Sequence, residues 1–563
     1  MTTELHPEGE GLEHEPFDGE LSETDIDRVL ALPLFAAIDP EQFPAHMSLR
    51  QLIRDHARID VYEKGQIVVR KGDYGHSAFI VLKGTVAVAT DAPPALAAVQ
   101  VRRRTRSWFS ALSQLWRNAR VPEARDTALY ARRLPWSLRY RAGRGQTPFL
   151  RDPDAFFREH KTINIGSGDM FGEIAALSRT PRNATVIAAA TSELLELRWT
   201  GMREIRKRDE GFRSFIDERY RSRSLKTHLR ESPLFRDLDD AALSRIAAET
   251  QFETYGTFDW NRAYKRQLAA QDVGLQPEAE PTIAEQGHYA DGLIMIRSGF
   301  ARVSERLGEG QRTLSVATTN DLFGFEEITA HYNGQGPPAL RRSLHAIGYV
   351  DILRVPTALV EEYVLRSSEA MPILNAVLSK MSEQPIDQGL MDFLVDRRFI
   401  NGTQAMVINT ERCVNCNDCV TACATAHDNN PRFIRHGPEH HQLMVANACM
   451  HCRDPVCLIG CPTGAIQRLS DDGRVVIDDP TCIGCGTCVN SCPYSNIRLV
   501  EIRDREGVPI VDEASGKPVL KATKCDLCLD QLDGPACQRA CPHDALVRID
   551  IGDQASLARW IER

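Results

Sequence analysis

The sequence predicts a multidomain protein: two antiparallel β-rolls, each flanked by helices, followed by a smaller α+β module built around cysteine. Three observations predict it. The chain has 563 residues, enough for about three or four domains. One plan of short alternating strands occurs twice in the first 400 residues. All sixteen cysteines lie between Cys413 and Cys541, and the first 412 residues contain none.

The repeat sets the order of the front half. "PLFAAID" at 33–39 returns as "PLFRDLD" at 233–239, and "DMFGEIAAL" at 169–177 returns as "DLFGFEEIT" at 321–329. Each copy opens on a helical pattern, continues as alternating strands separated by glycine turns, and closes on a helical segment, Thr200 to Arg230 and Thr357 to Phe399. The expected boundaries are an acidic leader at 1–24, a first domain at 25–220 with an insert at 92–162, a second domain at 221–400, and the cysteine module at 401–563. The leader lacks the basic start and apolar stretch of a signal peptide, and no apolar run is long enough to span a bilayer, so a cytoplasmic location is expected.

Within the first copy, "FGEIAALSRTPRNAT" at 171–185 places Glu173 and Arg182 nine residues apart among small residues. This stretch resembles the phosphate-binding cassette of cyclic-nucleotide-binding domains, and the front half resembles a tandem pair of them. The resemblance implies eight-stranded, jelly-roll-like β-rolls. It also implies a ligand site built from Phe171, Gly172, Glu173, Ile174, Ala175, Arg182, Asn183, Ala184 and Thr185, where Glu173 takes the ribose 2′-hydroxyl and Arg182 the cyclic phosphate. The chemistry agrees. A guanidinium clamps two oxygens of a phosphate monoanion, a carboxylate accepts from a sugar hydroxyl, and Gly172 and Ala184 keep side chains out of the way. The residues leave cAMP and cGMP both open. In the second copy Phe325 stands in the place of Glu173, and Arg341 or Arg342 matches Arg182 only after a shift. That copy is expected to be degenerate: structural, a docking face, or a binder of something else.

The insert is a separate signal. Residues 101–151 hold thirteen arginines against Glu123 and Asp126, a local +11 in a chain of net charge −9, so the remainder carries −20. "WFSALSQLW" at 108–116 puts Trp108, Phe109, Leu112, Leu115 and Trp116 on one helical face. Packing on a neighbouring domain or a protein partner is expected ahead of contact with an anionic membrane. Nucleic-acid binding ranks last, because no helix-turn-helix pattern follows either roll.

The cysteines fall into four runs. Cys413, Cys416, Cys419 and Cys423 have C-x2-C-x2-C-x3-C spacing, and Cys482, Cys485, Cys488 and Cys492 repeat it. Cys449, Cys452, Cys457 and Cys461 have an x4 variant, and Cys525, Cys528, Cys537 and Cys541 an x8 variant. In a large chain without an export signal, such thiols point to metal rather than disulfides. Sixteen thiolates in runs of this kind match four [4Fe–4S] clusters, whereas zinc sites use paired C-x2-C ribbons. "ACMHCRDPVCLIGCPTGAI" and "KCDLCLDQLDGPACQRACPHDAL" resemble the four-cluster ferredoxin-like subunits of molybdopterin oxidoreductases, of the dimethyl-sulfoxide-reductase and formate-dependent nitrite-reductase type. That resemblance implies that the first and fourth runs exchange their last cysteines, as do the second and third. One cluster would take Cys413, Cys416, Cys419 and Cys541, and another Cys525, Cys528, Cys537 and Cys423. A third would take Cys449, Cys452, Cys457 and Cys492, and the last Cys482, Cys485, Cys488 and Cys461.

The expected function is an electron-transfer subunit that relays single electrons between a partner oxidoreductase and an acceptor, under control of a cyclic nucleotide bound in the first domain. The expected partner is a molybdopterin enzyme, a hydrogenase or an NAD(P)H flavoprotein. No catalytic residue is assigned, since no substrate site is visible, and an oligomer is compatible with the sequence. The competing readings are a redox-sensing regulator and a nucleotide-free adaptor that docks a ferredoxin module onto an enzyme.

Overall fold

The computed structural model describes residues 21–73, 75, 77–89, 121–125, 150, 153–160, 162–173, 175, 182–257, 260–271, 280–308, 310–366, 372, 386–459, 461, 463–469, 473–479, 482–512, 516–531 and 533–563. They form two compact units. One gathers residues within 1–99, 133–213 and 461–465, and the other residues within 100–132, 214–460 and 466–563.

The first unit opens on helix Glu23–Leu30. Its N-terminus is fixed by a capping box in which Ser22 and Asp25 satisfy each other's backbone N–H. The first two residues of this helix, Glu23 and Thr24, fall in the segment expected to be leader. Eight strands follow: β1 (Ala57–Tyr62), β2 (Ile67–Val69), β3 (Ser77–Lys83), β4 (Thr85–Ala89), β5 (Thr162–Gly166), β6 (Met170–Phe171), β7 (Thr185–Ala188) and β8 (Ser192–Arg198). They form two antiparallel four-stranded sheets, in the orders β1-β8-β3-β6 and β2-β7-β4-β5. Alternate residues of both sheets meet in one core of Phe79, Val81, Val86, Ile165, Phe171, Val186 and Leu194. Phe79 and Phe171 stack with centroids 5.2 Å apart and hold the start of the glutamate-bearing segment against β3. Leu150 and Phe156, the latter on helix Pro153–Glu159, pack with Ile67, Ala89 and Ile187. The roll thus includes the end of the segment assigned to the insert. The 108–116 stretch lies outside the described residues.

In the second unit eight strands form a second body: β9 (Gln251–Tyr255), β10 (Thr282–Ala284), β11 (Gly292–Ser298), β12 (Ala301–Leu307), β13 (Gly310–Ala317), β14 (Leu322–Phe323), β15 (Ser343–Ala346) and β16 (Val350–Pro356). Their orders, β9-β16-β11-β14 and β10-β15-β12-β13, are those of the first body with every strand number raised by eight. The repeat read from sequence is therefore a repeat of topology.

This second body is built into the cysteine module. Phe300 and Ile347 share a core with Leu390, Leu394, Val407, Val445 and Trp560. Helix Trp260–Gln271 adds Trp260 and Tyr264 to a cluster with Tyr349 and Val456. Polar contacts reinforce the seam: Trp260 Nε1 donates to Asp454 at 3.2 Å, and Tyr264 Oη donates to the Arg397 carbonyl at 2.7 Å. The module itself centres on a four-stranded sheet that pairs Glu439–His440, Leu443–Val445, Ala405–Asn409 and Leu546–Ile549 in that order. Four short helices carry cysteines. Asp418–Ala426 packs on Ala536–Arg539, and Val456–Ile459 packs on Thr487–Ser491. Helices of the first and fourth runs are thus neighbours, as are helices of the second and third.

Candidate nucleotide cradle and candidate metal centres

In the first body the chain turns from β6 into the segment that bears Glu173. Gly172 makes that turn at φ 80°, a left-handed conformation that favours glycine. Glu173 and Arg182 are both buried, with 2% and 6% of their surface exposed. Arg182 is held from two sides. Its backbone N–H donates to the Asp73 carbonyl at 2.7 Å, and its own carbonyl accepts from Gly72 at 2.8 Å. Its guanidinium donates from Nη1 to the Gly172 carbonyl and from Nη2 to the Ser77 carbonyl, each at 2.6 Å. A Cβ added at Gly75 or at Gly172 would collide with that guanidinium. Two glycines therefore make room for the charge, and only one of them was picked out from the sequence. Burial pulls the Arg182 pKa down to about 10, while Glu196, Glu173 and Asp73 pull it back up. It remains a cation at neutral pH.

Phe171, Ala175 and Ala184 are buried around this position, Asn183 is exposed, and the Thr185 hydroxyl accepts from the Lys71 N–H at 3.1 Å. Ile174 lies outside the described residues. What the arrangement offers is a buried cation and a buried carboxylate on one short segment.

The second body preserves the frame and replaces the groups. Gly287 donates to the Leu340 carbonyl, and Leu340 donates to the His288 carbonyl, both at 2.8 Å, as Gly72, Arg182 and Asp73 do in the first body. Gln286 donates to Ser343 Oγ at 3.0 Å, as Lys71 does to Thr185. By this register Leu340 takes the place of Arg182, which corrects the expectation that Arg341 or Arg342 could stand there. Those two arginines instead pair with Glu326, at 2.6 and 3.1 Å. Phe325, in the place of Glu173, is 2% exposed. A Cβ at Gly324 would meet Leu340 Cδ2 at 3.8 Å, whereas at Gly172 the neighbour is a guanidinium.

The thiols are gathered and unbridged. One cavity is lined by Cys413, Cys416, Cys419 and Cys541, together with Ile408, Val414 and Leu546. Another is lined by Cys449, Cys452, Cys457 and Cys492, with Met450, Val456, Val475 and Ile497. Burial, and after it the charges of Cys525, Cys537 and Cys528, push the Cys423 thiol far up. Cys482 and Cys488 are buried and Cys485 is exposed. Cys461 belongs to the short stretch counted with the first unit, with its Sγ 3.7 Å from Thr463 Oγ1.

The backbone around the thiols fits a group that presents charged sulfur. In the first C-x2-C loop of each run the residue before the second cysteine is left-handed: Asn415 at 60°, His451 at 50°, Gly484 at 75° and Leu527 at 60°. Backbone N–H groups point at sulfur, Arg432 to Cys423 at 3.3 Å and Asn496 to Cys492, Ala536 to Cys528 and Ala545 to Cys541 at 3.4 Å. Burial raises the bare thiols, to about 11 at Cys419 and about 12 at Cys528. Sets of sulfurs in apolar walls, with N–H donors around them, are the donor set of an iron–sulfur cluster.

Sequence reasoning did not find three features near these thiols. Lys524 and Arg548 place cationic side chains on cysteine sulfur, although "KCDLC" marks the first of them. His427 Nε2 lies 3.6 Å from Cys528 Sγ and 3.5 Å from Asp526. Insert residues 121–125 join the second unit: Ala124 bridges Arg503, and Arg125 pairs with Asp479, three residues before Cys482. No sequence signal connects those partners.

Known families match a segment of each half. A family model described as "4Fe-4S dicluster domain" matches residues 440–550, and one described as "Cyclic nucleotide-binding domain" matches residues 157–209. The electron transport protein HydN of Escherichia coli is 34% identical over 160 residues, 26% of this chain and 87% of HydN. The thiosulfate reductase electron transfer subunit PhsB of Salmonella typhi is 32% identical, over 28% of this chain and 80% of PhsB. The putative oxidoreductase AegA of E. coli is 33% identical, over 25% of this chain but only 21% of AegA. The regulatory domain of Toxoplasma gondii PKA, solved with cAMP, aligns with 64% of this chain and 99% of its own at 15% identity and a TM-score of 0.22. Through its iron–sulfur unit the chain belongs to the family of 4Fe–4S electron-transport proteins. It joins that unit to a cyclic-nucleotide-binding domain. Among the described residues, no helix is long and apolar enough to cross a membrane.

Proposed function

We propose that this protein is an electron-transfer subunit that passes single electrons through four [4Fe–4S] clusters, between a partner oxidoreductase and an acceptor, and that a cyclic nucleotide bound in the first domain controls it. The proposed domains are those set out from the sequence: 25–220 for nucleotide, 221–400 as a degenerate second copy, and 401–563 for the clusters. The proposed cluster ligands are the four cross-exchanged sets of cysteines. The observation that carries the relay is the joint lining of one cavity by Cys413, Cys416 and Cys419 with Cys541, 122 positions further along the chain from Cys419. That meeting of thiols from distant runs supports the exchange. The relatives' names support a catalytic partner subunit: PhsB belongs to a thiosulfate reductase, and another relative belongs to the anaerobic dimethyl sulfoxide reductase of E. coli.

Clusters bound here would supply one-electron redox chemistry. The chain's own part is to hold each set in an apolar pocket, aim N–H donors at sulfur and exclude water. The second body supports the module through shared core. Nucleotide control is supported by the buried pair of Glu173 and Arg182 and by the insert. Insert residues Ala124 and Arg125 belong to the cluster-bearing unit, beside Arg503 and Asp479. Such control requires a ligand that favours one arrangement of the first body over another. The test is electron flow from a reduced partner, measured with and without cAMP or cGMP. Equal rates at saturating nucleotide remove the control, and absence of flow removes the relay.

One observation favours a second reading, the nucleotide-free adaptor: the Arg182 guanidinium already satisfies the carbonyls of Gly172 and Ser77. Calorimetric titration with both nucleotides separates the two readings.

A further inference from the structure

Two buried cations stand between thiols of different runs. Lys524 Nζ donates to Cys449 Sγ at 3.3 Å, to the Cys525 carbonyl at 3.1 Å and to the Val475 carbonyl. Arg548 Nη2 donates to Cys525 Sγ at 2.9 Å, while Nη1 donates to the carbonyls of Gln404 at 3.0 Å and Cys449 at 3.2 Å. Each cation therefore touches both Cys449 and Cys525. Both are buried, at 6% and 9% exposure, and Cys449 and Cys525 pack together with Leu527. Asp526, the carboxylate next to Cys525, is turned to His427 and to the Cys528 N–H. Both cations donate directly to a cysteine sulfur, whereas Lys521 Nζ donates to the Cys482 carbonyl.

A buried charge is weakly screened, so its effect on a neighbouring redox centre is large. Reduction adds one negative charge to a cluster. A fixed cation on a ligand sulfur favours that state and raises the potential, and hydrogen bonds to sulfur act in the same direction. Two uncompensated cations would be costly to bury; thiolate ligands supply the opposing charge.

We propose that Lys524 and Arg548 form a shared cationic bridge that raises the reduction potentials of the two clusters ligated through Cys449 and Cys525 above those of the other two. The proposal rests on the four-cluster reading. It makes the middle of the relay the place where an electron rests, and Lys524 and Arg548 positioning residues for transfer across the module. Neither cation gains or loses a proton in the step: one electron enters a cluster, and the bridge stabilises the added charge.

The test is an EPR-monitored redox titration of the anaerobically purified full chain, with iron content determined on the same samples. In Lys524→Met, two of the reduction steps should shift to lower potential. At fixed ambient potential their ratio of reduced to oxidised cluster should fall at least about tenfold, or about 59 mV for a one-electron couple. The other two should change by less than about threefold, roughly 28 mV by the same constant. Lys524→Arg, which keeps the charge, should retain the wild-type steps. Unchanged potentials in Lys524→Met at full iron content would overturn the proposal. So would a uniform shift of all four steps. Should Lys524→Met lose iron, Arg548→Gln is read in its place; loss of iron in both variants marks the pair as a structural clamp and also overturns it. Wild-type iron far below four clusters would instead defeat the four-cluster reading.

Discussion

Leu340 occupies in the second body the backbone position that Arg182 holds in the first. The same pair of main-chain hydrogen bonds fixes both, Gly72 and Asp73 to Arg182, Gly287 and His288 to Leu340. One architecture therefore carries a buried cation in one copy and an apolar side chain in the other. With Phe325 in the place of Glu173, the second copy lacks both groups proposed to hold a sugar phosphate. Its apolar interior and its shared core with the cysteine module fit the proposed role of a degenerate, structural copy.

The first prediction concerns nucleotide binding. Arg182→Leu removes a charge-assisted contact worth roughly 1.5–3 kcal/mol. The calorimetric Kd should rise by about tenfold or more, and Gly75→Ala should weaken binding in the same direction by displacing the guanidinium. Leu340→Ala should leave the affinity and the stoichiometry of one nucleotide per chain unchanged. Equal affinity in Arg182→Leu and wild type would remove the site.

The second prediction concerns ligand exchange between runs. Cys541→Ser and Cys419→Ser lie at opposite ends of the module but line one cavity. Each should abolish or convert the same EPR component, and the double variant should resemble either single variant. Cys492→Ser should affect a different component, the one also lost in Cys457→Ser. Loss of different components in Cys541→Ser and Cys419→Ser would contradict the exchange.

How much of this was legible in the sequence differs by element. The repeat was, because strands that alternate about glycine turns must recur when the topology recurs. The cysteine runs were, because ligand spacing is local. The place of Leu340 was not: the loop before it is longer than in the first copy, and only main-chain hydrogen bonding sets the register. Lys524 and Arg548 were equally hidden, since a buried cation and a solvated one look alike until a sulfur is found beside them.

The third prediction is a pH dependence of stability. Burial, with Arg297 nearby, holds His228 down to about 4, below its ordinary 6.5. Between those values the unfolded chain binds the proton and the folded chain does not, so stability is complete above about pH 6.5 and falls as pH drops toward 4. The loss from this group between pH 7 and pH 5 is about 2 kcal/mol. Unfolding free energies from urea titration of wild type and His228→Leu should diverge in their pH dependence by that amount. Parallel profiles would show that His228 titrates normally.

The fourth prediction tests the scaffold. Asp351, fully buried, accepts from Arg297 at 2.8 Å, Tyr349 at 2.7 Å and Thr254 at 2.6 Å. Asp351→Ala leaves the buried Arg297 without its carboxylate, at a cost of roughly 3–5 kcal/mol. Because the second body shares core with the cysteine module, this variant should lower the urea midpoint and the retention of iron on heating together. A lower midpoint with unchanged iron retention would separate the two bodies energetically.

The most direct measurement is the iron and acid-labile sulfide content of the full chain purified without oxygen. Four [4Fe–4S] clusters require about sixteen of each per chain, with an EPR spectrum on reduction of interacting S = 1/2 centres. Stoichiometric zinc, or iron and sulfide at half that level or below, would contradict the account of this protein as a four-cluster relay.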